Sequence, residues 1–410
     1  MAEMARGAYV RMLSAVYASM FLIRVAFGIV VVTFAGYVEA DDLVYSLVVT
    51  ASPLLELITV VFAGILIDRY GRKGVLLVGL GLGAIAMYGL ALTTDPLLLA
   101  VVNALHGTAA ALILVTTLAV IATYAPAEHR GREMGLFNLA NLVGWIAGFV
   151  AGSLLADFFE GRLQYTFVVA GGLATIGLLY TNRMLHLPAE AHAERTSPPS
   201  LRQLVSAVGN KDIILLTVPW LIVFMLMGSL ITFFPRVTED LELSGARTSL
   251  GILAVGVLMM SSQLFWGRLA DRYGREAIML VGGFGFAALM GVIAYAFFAT
   301  NSAAGGVIFA NVLSHWPILI GCLFVALAFA PAGLAAIADE AKGGAEGTTM
   351  SAYSLTLSLG FIIGPPILGL ISQTYGGPGM VIFFAVLAAA LLGLVLTRFL
   401  QTRVPRRVAP

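Results

Sequence analysis

Charge is what this sequence has least of. Of its 410 residues only 11% are Asp, Glu, Lys or Arg, against 60% hydrophobic, where a soluble domain carries about a quarter charged residues. A chain this apolar cannot hide its surface from water by folding alone, so its solvent must be lipid. The formal net charge is +1, which gives no basic footprint for nucleic acid. The single cysteine, Cys322, excludes an internal disulfide. There is no metal-ligand spacing, no nucleophile–base arrangement and no Gly-x-x-x-x-Gly-Lys-Ser/Thr phosphate loop, so neither an enzyme nor an ATP-driven pump is expected, and no metal or cofactor. The opening "MAEMARGAYVRML" leads into an apolar run longer than a signal core, so no cleavable leader is expected.

What is present is a series of apolar stretches, each near the roughly 20 residues that a helix needs to cross a bilayer. Twelve are read, at 12–38, 43–67, 74–94, 97–124, 134–156, 163–185, 213–235, 248–270, 277–299, 316–338, 350–372 and 379–400. They must be helices, because hydrocarbon offers no partner to a free backbone group. With both termini inside, 19 of the 23 Lys and Arg fall on the inner side; three (Arg162, Arg236, Arg247) fall outside and Arg24 lies within a span. That asymmetry predicts a multi-pass protein of the plasma membrane with cytoplasmic ends.

His186 to Asp212 is the longest polar stretch. It holds three prolines and divides the chain midway, with a short surface helix expected near Leu201–Val208. The reading is therefore an all-α polytopic membrane protein: a six-helix bundle at 1–185, a cytoplasmic linker at 186–212 and a second six-helix bundle at 213–410. The halves echo one another. Gly64, Asp68, Arg69, Tyr70, Gly71 and Arg72 recur as Gly267, Asp271, Arg272, Tyr273, Gly274 and Arg275, each 203 residues on. An internal repeat of this kind marks a transporter built from two pseudo-symmetric bundles.

The first copy, Gly64-x-x-x-Asp68-Arg69-x-Gly71-Arg72-Lys73, resembles the loop between the second and third helices of the major facilitator superfamily, which also keeps a weaker copy between the eighth and ninth. The resemblance implies a secondary transporter working by alternating access, with a small-molecule substrate and with helices 1, 4, 7 and 10 lining a central cavity. Nothing demands an oligomer, so a monomer is expected. It also implies a lock. Asp68, at the C-terminal end of its helix where the dipole disfavours an anion, would meet the start of the eleventh span near Gly347–Tyr353. Asp271 would meet the start of the fifth, near Arg132–Gly135. Anchoring the loops on the cytoplasmic side is the plainer role.

Two charges lie deep within spans, Arg24 and Glu56. Each costs at least about 2.5–3.5 kcal/mol there unless it faces a partner or water. Arg24 shares a face with Tyr17, and two readings stay open. Arg24 binds an anionic group on the substrate while Glu56 takes up a proton, or the two form a pair that fixes packing. In the fourth span, drug/proton exchangers of the superfamily often carry Arg-x-x-x-Gly, where this chain has Asn103 four residues before Gly107. His106 is a candidate proton relay. The fifth span, "NLVGWIAGFVAG", has Gly144-Trp145 where those exchangers have Gly-Pro, which lowers the multidrug reading. Asn138 and Asn141 share a face there and are candidate lining or helix-interface residues. In the second half the candidate contacts are Trp220, Gln263 and Tyr353. The resulting expectation is a proton-coupled carrier of a small organic anion such as a carboxylate, with a multidrug antiporter or an energy-independent facilitator as alternatives.

Overall fold

The computed structural model describes residues 6–126, 130–187, 211–240, 243–300, 305–341 and 346–403; the surface helix expected near Leu201–Val208 lies outside them. Described residues form helices and connecting turns, with no strand among them. In order these are α1 (Arg6–Tyr37), α2 (Asp42–Tyr70), α3 (Arg72–Leu90), α4 (Pro96–Tyr124), α5 (Arg130–Phe158), α6 (Gln164–Met184), α7 (Lys211–Asp240), α8 (Gly245–Tyr273), α9 (Arg275–Phe298), α10 (Gly305–Ser314), α11 (Trp316–Ala326), α12 (Phe329–Ala341) and α13 (Glu346–Arg403). Ten described helical spans are long and apolar enough to cross a membrane. One of them is 48 residues long and turns at Gly376, where φ is 61°. Dividing that span there, and adding α6, gives twelve crossings.

Helix starts are set by ordinary capping. Asp41 accepts from the Val44 amide at 2.8 Å and Asp95 from Leu98 at 2.9 Å, the latter with Pro96 in the first turn. Side chains such as Ile85, Val101, Leu179 and Val257 stand exposed, the inverse of a soluble surface and what a lipid-facing one requires.

Two compact units form: residues 1–198 with 232–253, and residues 199–231 with 254–410. In the first, α1 packs on α5 and α6, while α2 and α3 pack on α4. In the second, α9 packs on α11, α12 and α13, around a core of Trp220, Phe224, Met279, Phe329, Ile337 and Leu391. The expected tenth span is not one helix. It breaks at Leu327–Ala328, four and three residues before Pro331, which cannot donate to Leu327. Ala328 turns to Val325 at 3.0 Å, and the freed Phe324 carbonyl accepts from Trp266 Nε1 at 2.8 Å.

The segment 232–253 was not anticipated as part of the first unit. The Tyr45 hydroxyl donates to the Thr232 carbonyl at 2.8 Å. Arg236 pairs with the Asp42 carboxylate, donates to the Ala40 carbonyl at 2.9 Å and lies 4.1 Å from the Tyr45 ring centre. At the start of α8, the Gly245 amide donates to Asp157 Oδ2 at 2.7 Å.

Candidate functional site

The polar groups of the first unit gather where α1, α2, α4 and α5 meet. Three glycines one turn apart bring α5 against α1. A Cβ on Gly144 would lie 2.7 Å from Arg24 Cβ; one on Gly148 would lie 2.4 Å from the Val25 carbonyl oxygen, and one on Gly152 3.0 Å from Ile29 Cα. Small residues here allow backbone contact. This is why the fifth span is glycine-rich.

That approach fixes Arg24. It is 9% exposed; its Nε donates to Asn141 Oδ1 at 2.6 Å, and its guanidinium carbon lies 5.4 Å from the Trp145 ring centre and 5.8 Å from that of Phe27. Among the described residues no partner takes Nη1 or Nη2. Glu56 on α2 is half-buried. It forms no ion pair with Arg24 among the described residues. Two turns before Arg24, the Tyr17 hydroxyl donates to Glu133 Oε2 at 2.5 Å. Glu133, 5% exposed in the first turn of α5, was not singled out in the sequence. The only clue was an acidic residue at a helix start, where the dipole favours it.

Asn103, a candidate substrate contact, is hydrogen-bonded to α2. Its Nδ2 donates to the carbonyls of Val48 at 2.9 Å and Val49 at 3.1 Å, and its Oδ1 faces His106 Nδ1 at 3.3 Å. The cause is Pro53, which has no N–H for the Val49 carbonyl four residues earlier. Asn103 supplies the missing donor. Gly107, one turn on, lets the helices close: a Cβ there would sit 1.9 Å from the Ser52 carbonyl oxygen. Since Asn103 Oδ1 only accepts, His106 carries its proton on Nδ1. Its Nε2 is then a buried acceptor without a partner among the described residues, edge-on to Phe27 with ring centres 3.9 Å apart.

Trp220, a candidate contact, packs among aromatic residues. It is 3% exposed in the core of the second unit, stacked on Phe224 at 5.2 Å and edge-on to Phe329 and Tyr353 at 5.0 and 5.1 Å. Tyr353, within the same aromatic cluster, and Gln263 on α8 are half-buried; Asn138 is exposed on α5.

The repeated loops match residue by residue. Gly71 (φ 76°, ψ 153°) and Gly274 (φ 92°, ψ 144°) turn the chain in a region that favours glycine, with their amides bonded to Ile67 and Ala270 at 2.9 and 3.0 Å. Arg69 and Arg272 lie over the adjacent Tyr70 and Tyr273 rings at 5.4 and 5.3 Å. The next Arg reaches the fourth crossing of its half: Arg72 lies over Tyr124 at 5.8 Å, and Arg275 pairs with Asp339 and donates to the Ala335 carbonyl. The residue after it reaches the last crossing. Lys73 donates to the Asn182 carbonyl at 2.9 Å, and Glu276 accepts from Arg398 at 2.9 Å. Each loop thus stitches three helices within its own half. Asp68 and Asp271 are exposed and make no hydrogen bond or ion pair among the described residues. Gly64 and Gly267 are half-buried, with open space where a Cβ would stand.

Residues 13–327 and 262–410 match the sequence profile of the Major Facilitator Superfamily. The chain belongs to that superfamily. It is a multi-pass membrane protein, as its long apolar helices require. A multi-drug resistance efflux pump PmrA homolog of Lactococcus lactis is 29% identical over 60% of this chain and 60% of its own length. The multidrug resistance protein MdtG of Salmonella dublin is 28% identical over 66% of this chain and 69% of its own. A proline/betaine transporter of Escherichia coli is 24% identical over 70% and 63%. These matches thus span about two thirds or less of the relatives' lengths. Among solved structures, a mutant of the nucleoside transporter NupG superposes with a TM-score of 0.73 at 16% identity, covering 95% of this chain and 100% of that one. A bacterial homolog of the human lysosomal transporter Spinster gives 0.73 at 15% identity, covering 97% and 98%. At these identities the likeness establishes the superfamily's twelve-helix fold and no substrate.

Proposed function

We propose that this protein is a proton-coupled secondary transporter that moves a small organic anion across the plasma membrane by alternating access, as a monomer with both ends in the cytoplasm. The observation that carries this reading is Arg24. It is a buried cation inside a span, anchored through Nε with both Nη groups untaken among the described residues. A guanidinium edge left open in an apolar setting suits a carboxylate, which it meets with two parallel bonds. Asn141 orients it, and Tyr17 and Asn138 are the proposed lining beside it in the first unit; Gln263 and Tyr353 are proposed contacts of the second. Glu56 and the unpartnered His106 Nε2 are the proposed coupling groups. Asp68 and Asp271, exposed and without a hydrogen bond or ion pair among the described residues, are the proposed gating groups of the repeated loops.

The test is transport in proteoliposomes with and without an imposed pH gradient. Accumulation should depend on the gradient, and Glu56→Gln should abolish that dependence. Gradient-independent equilibration would replace the reading with a facilitator. A second reading, export of lipophilic drugs, draws on the two multidrug relatives. Drug efflux unaffected by Arg24→Gln would favour it.

A further inference from the structure

Arg24 and its neighbours on α5 offer hydrogen-bond donors and almost no acceptor. Arg24 Nε donates to Asn141 Oδ1 at 2.6 Å. A guanidinium has no acceptor, so the Asn141 amide must present its oxygen to it, and Nδ2 is held on the adjoining side of the same amide. Trp145 lies one turn on along α5, on the same face. Its ring centre is 5.4 Å from the Arg24 guanidinium carbon. Among the described residues, nothing bonds to Arg24 Nη1 or Nη2, Asn141 Nδ2 or Trp145 Nε1. The one side-chain acceptor bonded within the group, Asn141 Oδ1, is already taken. Nor are these nitrogens sealed: the unpartnered polar atoms cut off from any surface are others, such as His106 Nε2. An open cationic edge inside a span is strongly disfavoured against hydrocarbon. These donors therefore mark the wall of a polar space.

We infer that Arg24, Asn141 and Trp145 form a donor-only recognition site for a 2-oxo acid, whose carboxylate takes the Arg24 Nη edge and whose keto oxygen accepts from Asn141 Nδ2, with Trp145 as the flanking wall and further donor. This rests on the reading that Arg24 takes the substrate's anionic group, and narrows it to what stands beside that group. A keto oxygen only accepts, so it answers the open donors and asks for nothing in return. A hydroxyl in its place also accepts, but brings a hydrogen for which the group holds no free acceptor. An unsubstituted carbon leaves the donors unpaired. An ammonium only donates and sets a second positive charge beside the guanidinium, so it is opposed on both counts. On one carbon skeleton the order of binding is keto, hydroxyl, unsubstituted, ammonium.

The experiment uses the full-length protein in detergent. Binding constants are measured by calorimetry for two series. One is 4-methyl-2-oxopentanoate, 2-hydroxy-4-methylpentanoate, 4-methylpentanoate and leucine; the other is phenylpyruvate, phenyllactate, 3-phenylpropanoate and phenylalanine. In at least one series the keto acid should bind about tenfold or more tighter than the unsubstituted acid, with the amino acid weakest. Asn141→Leu should bring that ratio close to one, and Arg24→Gln should abolish binding of every member. Equal binding of keto, hydroxyl and unsubstituted acids, or tightest binding of the amino acid, overturns the inference on the wild type alone; where Arg24→Gln still removes that binding, the anion reading stands. A keto preference that survives Asn141→Leu also overturns the inference. No binding in either series, or binding indifferent to Arg24→Gln, overturns both.

Discussion

If Asn103 exists to mend the break made by Pro53, the two residues must be energetically coupled in a direction that can be worked out. Asn103→Leu keeps the side chain's volume and deletes the amide. The Val48 carbonyl still has the Ser52 N–H four residues on, so its lost bond at 2.9 Å was a shared one, worth about 0.6 kcal/mol inside a membrane protein. The Val49 carbonyl has no such reserve, because residue 53 is proline. Losing its bond at 3.1 Å leaves an acceptor bare in an apolar interior, at about 1–3 kcal/mol. The expected destabilisation is about 2 kcal/mol. In a Pro53→Ala background the backbone regains an N–H at position 53, which supplies Val49 from within α2. The same Asn103→Leu change should then cost about 1 kcal/mol or less. His106 loses its Nδ1 partner in both backgrounds, so that contribution cancels. Reversible unfolding in mixed micelles, followed by circular dichroism over the four members of the cycle, measures the coupling without any assay of transport. Costs that agree within about 0.3 kcal/mol in the two backgrounds would mean independent sites, and the clasp would be refuted.

Other expectations follow from the same contacts. Gly107→Ala should destabilise by about 1–3 kcal/mol or more in the same assay, because its Cβ would fall 1.9 Å from the Ser52 carbonyl oxygen; an unchanged transition would show that α2 and α4 do not meet there. Gly71→Ala and Gly274→Ala should each cost about 1 kcal/mol by forcing a side chain into positive φ, read as a lower melting temperature. Arg236→Gln removes the Asp42 pair and the bond to the Ala40 carbonyl; it should lower stability by about 1–2 kcal/mol and raise hydrogen exchange in 232–240. Arg24→Lys should not rescue Arg24→Gln in a substrate-binding assay, because an ammonium cannot hold Asn141 and present two further donors at fixed geometry.

Most of the fold was legible because one quantity dominates it. Lipid demands apolar helices, and apolar runs of the right length can be read from composition. All twelve expected spans begin within about six residues of an observed helix, or of its continuation past Gly376. The exception in kind, the tenth span, was broken by Pro331, whose effect depends on what its neighbours can offer the freed carbonyls. The loop repeat was legible because it is written in Gly and charge, and the matching φ at Gly71 and Gly274 follows from it. Asn103 shows what sequence alone does not reveal. A polar residue within a span was read as a candidate substrate contact; the structure also gives it a backbone acceptor on another helix, left without its donor by a proline 50 positions earlier. The place of Trp220 was not legible for the related reason that an aromatic suits a core and a binding wall equally well. The Arg236 cluster was missed because Asp42 and Arg236, 194 positions apart, carry no local signal of one another.

The distribution of polarity between the units constrains where recognition can reside. In the first, Arg24, Glu56, His106, Asn141 and Glu133 lie on four packed helices, and three of these residues keep unused capacity: the Arg24 Nη groups, the Glu56 carboxylate and His106 Nε2. In the second, the buried centre is aromatic and aliphatic, and the ion pairs among its described residues, Arg275–Asp339 and Arg398–Glu276, sit toward helix ends. A charged substrate gains discrimination only where a charge awaits it, whereas apolar contact tolerates many shapes. Substitutions among Arg24, Glu56 and Asn141 should therefore change which ligand class binds. Substitutions at Tyr353 or Gln263 should change affinity across classes without reordering them. A reversal, with Tyr353→Ala switching the preferred class and Arg24→Gln lowering all ligands equally, would move the discriminating site to the second unit.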